Sequence, residues 1–471
     1  MNPNLCCMGH KPGIKKAKNL LTYISILAIV LAGVGCSLKG YTNEKLTANM
    51  TNNGIKATYN VENREGSQKN ALVILALSGG GSRAALFSAL VMLSLDEIQV
   101  QGSTLMKEVD AISSVSGGSL AAAYYALSKD PGPTVEMQNR IWDRDTATEI
   151  MSRNYSGKWI ANWFWPKNIF YYWFTAYNRS DIMATTFADN FLDTRNIGTD
   201  YKFRDINPTR PTLLINSTVG TTGEKFGEVF TFTIESFNDL QSDLATYDIA
   251  RAVMASASFP SVFNYMHLRD YRFKHEKYTH LFDGGNSDNL GIKSAFGILD
   301  NTREKYDTFI LILVDVFTHG GGVSDGMLDG REWPIDFVVD TNFLDSFDSL
   351  LSRNRVNLVE NGINYFEWLK TARGKNAIFY HIKFDNLRVL DEALYQKVNS
   401  IKTDFKIGES GIEALKKASA LLITDQNECL KRITSLLSGK GADFESTYCT
   451  WPTLREDMDR IHRAPQAPDS P

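Results

Sequence analysis

The chain has 471 residues, of which 43% are hydrophobic and 22% are charged, and its formal net charge is −4. This composition is that of an ordinary globular protein, and the length suffices for one large domain or two smaller ones. The acidic balance, with no basic stripe interleaved with aromatic residues, argues against nucleic acid as a partner.

The first 35 residues predict a signal peptide of the lipoprotein type. Four lysines precede an apolar stretch at residues 20–32 that is too short for a comfortable membrane span. Small residues then lead to Cys36, which would be acylated after cleavage, although Gly33 stands where Leu is usual. A plain cleaved signal or an uncleaved anchor is the alternative. With Ser37 after the cysteine, we expect a lipid-anchored protein of the bacterial cell envelope, in the outer membrane.

The rest of the chain divides into three parts. Residues 36–67 are polar and predict a tether, residues 68–425 predict the folded domain, and residues 426–471 predict the end of a C-terminal helix and a tail. Within the domain, an aromatic-rich insert near 134–200 forms either the core of a helical subdomain or a lid or membrane-facing surface. A strong amphipathic helix is expected over 411–437.

Two cysteines remain once those of the signal and Cys36 are set aside. Cys429 and Cys449 could form one disulfide in an oxidising compartment, and the alternative is two free buried thiols.

A glycine loop follows the first predicted strand. The apolar run at 71–77 is typical of a strand buried on both faces, and residues 78–83 (SGGGSR) lead into apolar residues at helical spacing. Such a loop can cradle a phosphate, form an oxyanion hole for an acyl-transfer intermediate, or simply turn the chain. The sequence has no G-K-[ST] here, and Ala84 stands where a dinucleotide fingerprint would have its third glycine.

A second small-residue turn surrounds Ser116. Residues 109–112 predict a short buried strand, residues 120–127 predict a helix, and residues 114–118 (SVSGG) lie between them. A nucleophile elbow needs this strand–turn–helix arrangement, with small neighbours and a serine at the helix N-terminus, where the dipole favours an oxyanion. Ser114 replaces the first glycine of the usual pattern and could strain the elbow. The alternative is a Ser/Gly-rich turn without chemistry.

A third turn supplies a candidate base. Residues 278–282 predict a strand that ends in residues 283–285 (DGG). Asp283 could activate a serine directly if a water-poor site raised its proton affinity, or it could merely cap the turn. His319, which also follows a predicted strand, offers a Ser-His-Asp arrangement instead. Strands alternating with helices predict an α/β protein with a mainly parallel sheet, whose loops meet at one edge.

These three motifs, in this order, resemble the patatin-like phospholipases, of a bacterial, lipoprotein-type branch. Residues 255–260 (ASASFP) and 178–182 (NRSDI) are similar to flanking stretches of that family, and the resemblance covers roughly residues 70–425. It implies a three-layer α/β/α sandwich and a lipid acyl hydrolase with membrane lipids as substrate, working without a cofactor or a metal.

The resemblance also implies roles for particular residues. Ser116 would attack the ester carbonyl to form an acyl-enzyme, and Asp283 would take its proton and later activate water. The oxyanion would be held by the loop glycines, Gly79, Gly80 and Gly81. Supporting roles would fall to Arg83, Gly118, Gly284 and Gly285. The alternatives are an acyltransferase and a lipid-binding envelope lipoprotein without catalysis.

Overall fold

The strands of the fold run from residue 71 to residue 449. The structure is a computed structural model, and it describes residues 41–47, 54–64, 67, 70–132, 141–190, 200–260, 262–318, 341–440 and 446–463. The strands are β1 (Ala71–Leu77), β2 (Gln99–Val100), β3 (Ser103–Thr104), β4 (Ala111–Val115), β5 (Thr212–Val219), β6 (Val229–Thr231), β7 (Met266–Arg269), β8 (Tyr278–Asp283), β9 (Thr308–Asp315), β10 (Asn376–Lys383) and β11 (Tyr448–Cys449).

Helices fill most of the connections. They are α1 (Gly81–Leu95), α2 (Leu105–Glu108), α3 (Gly117–Leu127), α4 (Arg144–Met151), α5 (Tyr155–Trp163), α6 (Pro166–Phe174), α7 (Arg179–Asn190), α8 (Ile234–Asp239), α9 (Ile249–Ser256), α10 (Gly285–Asp288), α11 (Ile292–Thr302), α12 (Thr341–Thr371), α13 (Leu387–Leu390), α14 (Glu392–Asn399), α15 (Glu409–Leu422), α16 (Glu428–Leu437) and α17 (Arg455–Arg463). Short 3₁₀ turns lie at Phe203–Asp205 and Phe384–Asn386.

The central sheet has the strand order β11-β10-β9-β1-β4-β5-β8-β7, with β6 also paired to β5. The strands from β11 to β5 are mutually parallel, whereas β8 runs antiparallel to both β5 and β7. The expected α/β fold with a mainly parallel sheet is therefore confirmed.

Strand β1 shows how the layers form. All seven of its residues are buried, so both of its faces must be covered. Val73, Leu75 and Leu77 join a core with residues of α1 and α3. Leu72, Ile74 and Ala76 join a second core, with residues of α11 and α12, on the other face. The alternation of one apolar strand between two helical layers makes the three-layer α/β/α sandwich.

The amphipathic helix predicted over 411–437 is wrong, because the segment forms two helices, α15 and α16. The break is fixed by Asn427, whose side-chain oxygen accepts from the N–H groups of Cys429 and Leu430 at the start of α16. Its amide nitrogen donates to the Tyr380 hydroxyl, 2.7 Å away. A buried cap of this kind stabilises a new helix start more than it would a helix interior.

A disulfide joins α16 to the edge strand β11. The Sγ atoms of Cys429 and Cys449 are 2.12 Å apart. The two cysteines are 20 residues apart in the sequence, and the bond adds a covalent link to the two-residue strand β11 and its hydrogen bonds.

The N-terminal part of the chain lies partly within the fold. The predicted signal and Cys36 are outside the described residues. In the segment predicted as a tether, Ala57 and Val61 are fully buried, and the Ala57 carbonyl accepts from the Ile234 N–H at 2.8 Å. No helix in the described ranges combines the length and apolarity that crossing a bilayer requires.

Candidate active site

The three motifs converge at one edge of the sheet. In the register of the parallel strands β1 and β4, Leu77 lies beside Ser114, so the glycine loop and the Ser116 turn leave the sheet together. Asp283 reaches the same place from the opposite direction, because β8 is antiparallel to β5 and pairs Asp283 with Ser217. The sequence predicted the meeting of the loops, but not the reversed direction of β8.

Ser116 occupies a strained turn at the start of α3. Its φ is 48° and its ψ is −120°, a conformation that costs a side-chain-bearing residue about 1–3 kcal/mol. Its side chain makes no capping hydrogen bond to the helix. The hydroxyl is therefore not used by the helix, while the unpaired N–H groups and the dipole of α3 favour negative charge beside it.

Backbone contacts without side chains bring the glycine loop against this turn. A Cβ at Gly117 would collide with the Gly81 carbonyl oxygen, and a Cβ at Gly118 would collide with that of Ser78. A Cβ at Gly79 would come within 3.2 Å of the Ser116 Cβ. Glycine is required at these positions because the two turns approach as closely as their backbones allow.

The end of α9 holds the serine and the aspartate in register. The Ser116 N–H donates to the Ser256 hydroxyl at 2.8 Å, and that hydroxyl donates to the Asn216 carbonyl at 2.5 Å. The Asp283 N–H donates to the Ser258 carbonyl at 3.1 Å. Sequence reasoning noticed residues 255–260 only as a flanking resemblance and assigned them no role. The run of small residues within 255–260 is the sequence signal that could have pointed to this positioning role.

Asp283 is buried and has an unusually high proton affinity. Burial raises the pKa of its carboxyl to about 7, although hydrogen bonds from the Gly285 N–H and the Ser116 hydroxyl act in the opposite direction. The Gly285 N–H lies 2.8 Å from Oδ1. The Thr218 hydroxyl donates to the Asp283 carbonyl at 2.8 Å and fixes the strand end. A carboxyl in this environment can take and return a proton near neutral pH.

The structure corrects one member of the predicted oxyanion hole. The Gly79 N–H donates to the Asn289 carbonyl at 3.0 Å, so this donor is already used. Gly80 and Gly81 have positive φ, 142° and 59°, which turns the loop away from β1. Among the described residues, neither of their N–H groups has an acceptor. These two remain the candidate donors.

Arg83 ties the glycine loop to a segment from the other end of the domain. Its guanidinium donates to the carbonyls of Val316 and Ile401 and to the Thr403 hydroxyl. The neighbouring Ser82 N–H donates to the Asp404 carbonyl at 2.7 Å. The predicted role of Arg83 as the fixing residue of this loop therefore has a geometric basis.

Gly284 lies next to Asp283 in the chain, and Ser114 lies two residues before Ser116. A Cβ at Gly284 would collide with the Asn216 carbonyl, so the DGG turn packs directly on β5. Ser114 sits within β4, and its hydroxyl donates to the Leu214 carbonyl of β5 at 3.1 Å. Ser114 is not among the described non-glycine residues with positive φ, whereas Ser116 is, so the strained backbone lies at Ser116; an effect of Ser114 on the elbow stays a prediction.

Two further points from the sequence concern His319 as an alternative base and a metal site. His319 lies outside the described residues. Within the described ranges, no cluster of three or more His, Cys, Asp or Glu side chains could hold a metal ion.

A strained serine above a helix N-terminus, a buried aspartate beside it and a glycine loop against both lie together at one edge of this α/β fold. Residues 75–296 match the family model described as patatin-like phospholipase, and the chain therefore carries a patatin-like phospholipase domain. No curated protein matches the chain.

Two solved structures are similar to the chain. Human GIVD cytosolic phospholipase A2 is 14% identical, with a TM-score of 0.26, over 40% of this chain and 28% of that one. VipD from Legionella pneumophila is 15% identical, with a TM-score of 0.23, over 50% of each chain. The matched regions span less than two thirds of either of these proteins.

Proposed function

We propose that the protein is a lipid acyl hydrolase that cleaves carboxylic esters of membrane lipids through Ser116 and Asp283. The observation that carries the proposal is the convergence of the strained Ser116 turn and the buried Asp283 carboxyl at one edge of the sheet, where burial raises the pKa of Asp283 to about 7. An alkoxide-like nucleophile needs a base that is ionised near neutral pH and still has appreciable proton affinity.

The first half-reaction acylates the serine. Ser116 Oγ attacks the ester carbonyl carbon, its proton passes to the Asp283 carboxylate, and the carbonyl oxygen becomes an oxyanion. The Gly80 and Gly81 N–H groups and the N-terminus of α3 stabilise that charge. The tetrahedral intermediate then expels the lipid alcohol, which leaves with the proton from Asp283.

The second half-reaction releases the fatty acid. Asp283, again ionised, takes a proton from water, and the hydroxide equivalent attacks the acyl-Ser116 carbonyl. Collapse of the second tetrahedral intermediate breaks the bond to Ser116 Oγ, which regains its proton from Asp283. The acid and base roles alternate on one carboxyl, so no histidine is needed.

The test compares wild type with Ser116→Ala on a soluble short-chain ester and on phospholipid vesicles. Loss of a nucleophile of this kind lowers kcat by roughly 10³-fold or more. Ser119→Ala is the matched control, because Ser119 lies in α3, the helix that Ser116 precedes, and its hydroxyl, 3.1 Å from that of Ser256 in α9, is not the proposed nucleophile. Equal, background-level rates for wild type and Ser116→Ala would favour a lipid-binding lipoprotein without catalysis.

A second variant separates the dyad from a triad. His319→Ala should retain wild-type turnover if Asp283 is the base. A loss as large as that of Ser116→Ala would instead support a Ser-His-Asp mechanism.

We also propose that the substrate is presented by the membrane to which acylated Cys36 would attach the protein in the bacterial envelope. Incorporation of labelled palmitate, lost in Cys36→Ala, checks the attachment. Whether the released acyl group goes to water or to a second lipid alcohol is read from the products.

A further inference from the structure

Within the described part of the chain, helix α6 presents an apolar surface over which no other element packs. No residue of this nine-residue helix is buried, although six of its nine residues are aromatic or aliphatic. Trp165 and Trp173 are 64% and 73% exposed. We call the aromatic face the set of exposed apolar side chains on α6 and the turn before it, namely Phe164, Trp165, Ile169, Phe170, Trp173 and Phe174.

The aromatic face is rigidly supported from behind. The Trp159 ring packs on Phe263 at a centroid distance of 5.1 Å, and its Nε1–H donates to the Arg179 carbonyl at 3.1 Å. Trp163 packs on both Trp159 and Tyr172, at 5.6 and 5.2 Å. The aromatic segment thus has an inner side that forms a small core and an outer side that meets solvent.

The sequence of the aromatic segment itself carries only positive charges, although Glu149 pairs with Arg153 and Asp189 lies near Lys167. Residues 151–180 contain four lysine and arginine residues and no Asp or Glu, in a chain whose net charge is −4. Lys167, on α6 itself, is exposed and lies 5.8 Å from the Tyr171 ring centroid. Exposed Trp and Phe side chains beside the exposed Lys167 fit the interfacial region of an anionic lipid bilayer.

The aromatic face adjoins the catalytic edge. At the start of α5, the Ser156 hydroxyl donates to the Asp404 carboxylate at 2.7 Å, and the Ser156 N–H donates to the Phe405 carbonyl at 3.1 Å. The Asp404 carbonyl in turn accepts from the Ser82 N–H of the glycine loop. One short segment therefore links the aromatic helices to the loop that lies against Ser116.

The N-terminus enters the fold beside the same helices. The Arg251 guanidinium stacks 3.8 Å from the centroid of the Tyr41 ring, and it pairs at 2.7 Å with Asp181 in the first turn of α7. In the sequence, Tyr41 is the fifth residue after Cys36, and a stretch of that length spans at most about 18 Å. A lipid attached to Cys36 would thus place the membrane close to α6 and α7.

We propose that the aromatic face inserts into the interface of an anionic bilayer and holds the catalytic edge against it. The biological purpose of this contact rests on the proposed function, whereas binding of the aromatic face to vesicles is measured without any hydrolysis. The bilayer surface supplies the apolar cover that α6 lacks, the anionic headgroups meet the surrounding cations, and the Ser116 site is brought to the lipid esters.

The experiment uses the full chain and anionic vesicles whose acyl chains carry bromine, which quenches tryptophan that enters the bilayer. Trp165→Phe/Trp173→Phe keeps the face apolar but removes its two most exposed fluorophores among the eight tryptophans of the chain. We expect strong quenching in wild type, its near-complete loss in this variant, and weaker quenching on neutral vesicles.

A kinetic comparison uses Trp165→Ala/Trp173→Ala. Removing two largely exposed indole rings should lower kcat/KM on anionic vesicles by roughly ten- to a hundredfold. Turnover of a soluble short-chain ester should not change. Leu421→Ala is the control, because Leu421 is exposed near Ser94 and Ser419, at the far end of α1 from the glycine loop.

The outcomes separate this proposal from the proposed function. Unchanged quenching in the Phe variant, or equal losses on vesicles and on the soluble ester, would overturn the bilayer contact. So would a dimer in solution that the Ala variant dissociates while vesicle quenching persists, since the face would then bind a second copy of the chain. A wild type that is quenched by the vesicles but hydrolyses nothing would reject the hydrolase and keep the surface.

Discussion

Two buried aspartates end strands of the same sheet, yet their environments shift their pKa values in opposite directions. Asp283 ends β8, and in the described part of the chain no cationic side chain forms an ion pair with it. Burial raises its pKa to about 7, against the Gly285 N–H and the Ser116 hydroxyl. Asp315 ends β9 and is equally inaccessible.

Burial alone would also raise the pKa of Asp315, but Arg355 and His381 outweigh it and hold that pKa well below its ordinary value. The Arg355 Nε lies 2.5 Å from the carboxylate, and His381 Nε2 lies 3.0 Å from it. Burial lowers the pKa of His381, and its Nδ1 accepts from the Tyr448 hydroxyl, 3.0 Å away. The pair Asp315–His381 looks like two thirds of a catalytic triad, but it is a saturated structural network.

Among the described residues, the candidate base differs from the structural carboxylate in having no cation paired with it. With cations around it, Asp315 gives up its proton affinity and stabilises three strands. Without them, Asp283 keeps its proton affinity and can act as a base.

The largest effect is expected from removing the carboxylate of Asp283, the proposed base. Asp283→Asn should lower kcat on a soluble ester by about 10³- to 10⁴-fold, as loss of the base does in serine hydrolases. The melting temperature should not fall, because a neutral amide is buried at less cost than a carboxyl without a cation. Steady-state kinetics with differential scanning calorimetry checks both, and retention of activity would exclude Asp283 as the base.

The next largest effect is expected from removing the carboxylate of Asp315, which belongs to the structural network. Asp315→Asn leaves the Arg355 charge buried and unpaired, which should lower the free energy of unfolding by about 3–5 kcal/mol. The folded fraction should keep its kcat. Denaturant unfolding measures the loss, and Asp315→Asn/Arg355→Met, which removes both charges, should recover most of it. A variant that stays stable but loses turnover would show that this network takes part in catalysis.

The pH dependence of stability should have opposite signs for the two carboxyls. The pKa of folded Asp283 is raised, so its contribution is present below the unfolded pKa of about 4 and is lost as pH rises towards 7, by up to about 1.4 kcal/mol per unit. The pKa of folded Asp315 is lowered, so its contribution is present above about pH 4 and is lost in acid. Unfolding of wild type and of each Asn variant between pH 3 and 8 isolates the two contributions; parallel curves would contradict the comparison.

The same ionisation should appear in the rate. With Asp283 as the base, kcat/KM for a soluble ester should fall about tenfold per pH unit below 7 and level off above it. Asp315→Asn should leave this midpoint in place, since Asp315 does not titrate in that range. A midpoint that moves with Asp315→Asn would couple the two sites.

The smallest expected effect concerns the strand that carries the nucleophile. Ser114→Gly restores the usual elbow pattern but removes the hydrogen bond to the Leu214 carbonyl. We expect a loss of about 1–2 kcal/mol in stability and no gain in kcat, because the strained residue is Ser116. A large gain in kcat would show that Ser114 does restrain the elbow.

The sequence by itself determined the fold class and the three turns of the candidate site. The unbroken apolar run at 71–77 predicts a doubly covered strand, and small residues around Ser116 and Asp283 predict tight turns, because these are local properties of chain and side chain. The resemblance then supplied the roles.

Only the tertiary structure decided the rest. The packed fold sets β8 antiparallel to β5, and the Gly79 N–H donates to the Asn289 carbonyl. It also divides the last amphipathic segment at Asn427 and gives residues 255–260 their positioning role. It also separated Asp283 from Asp315, whose local sequences do not reveal which cations will surround them. Proton affinity and the use of a donor depend on partners distant in the chain, and those are fixed only when the layers pack.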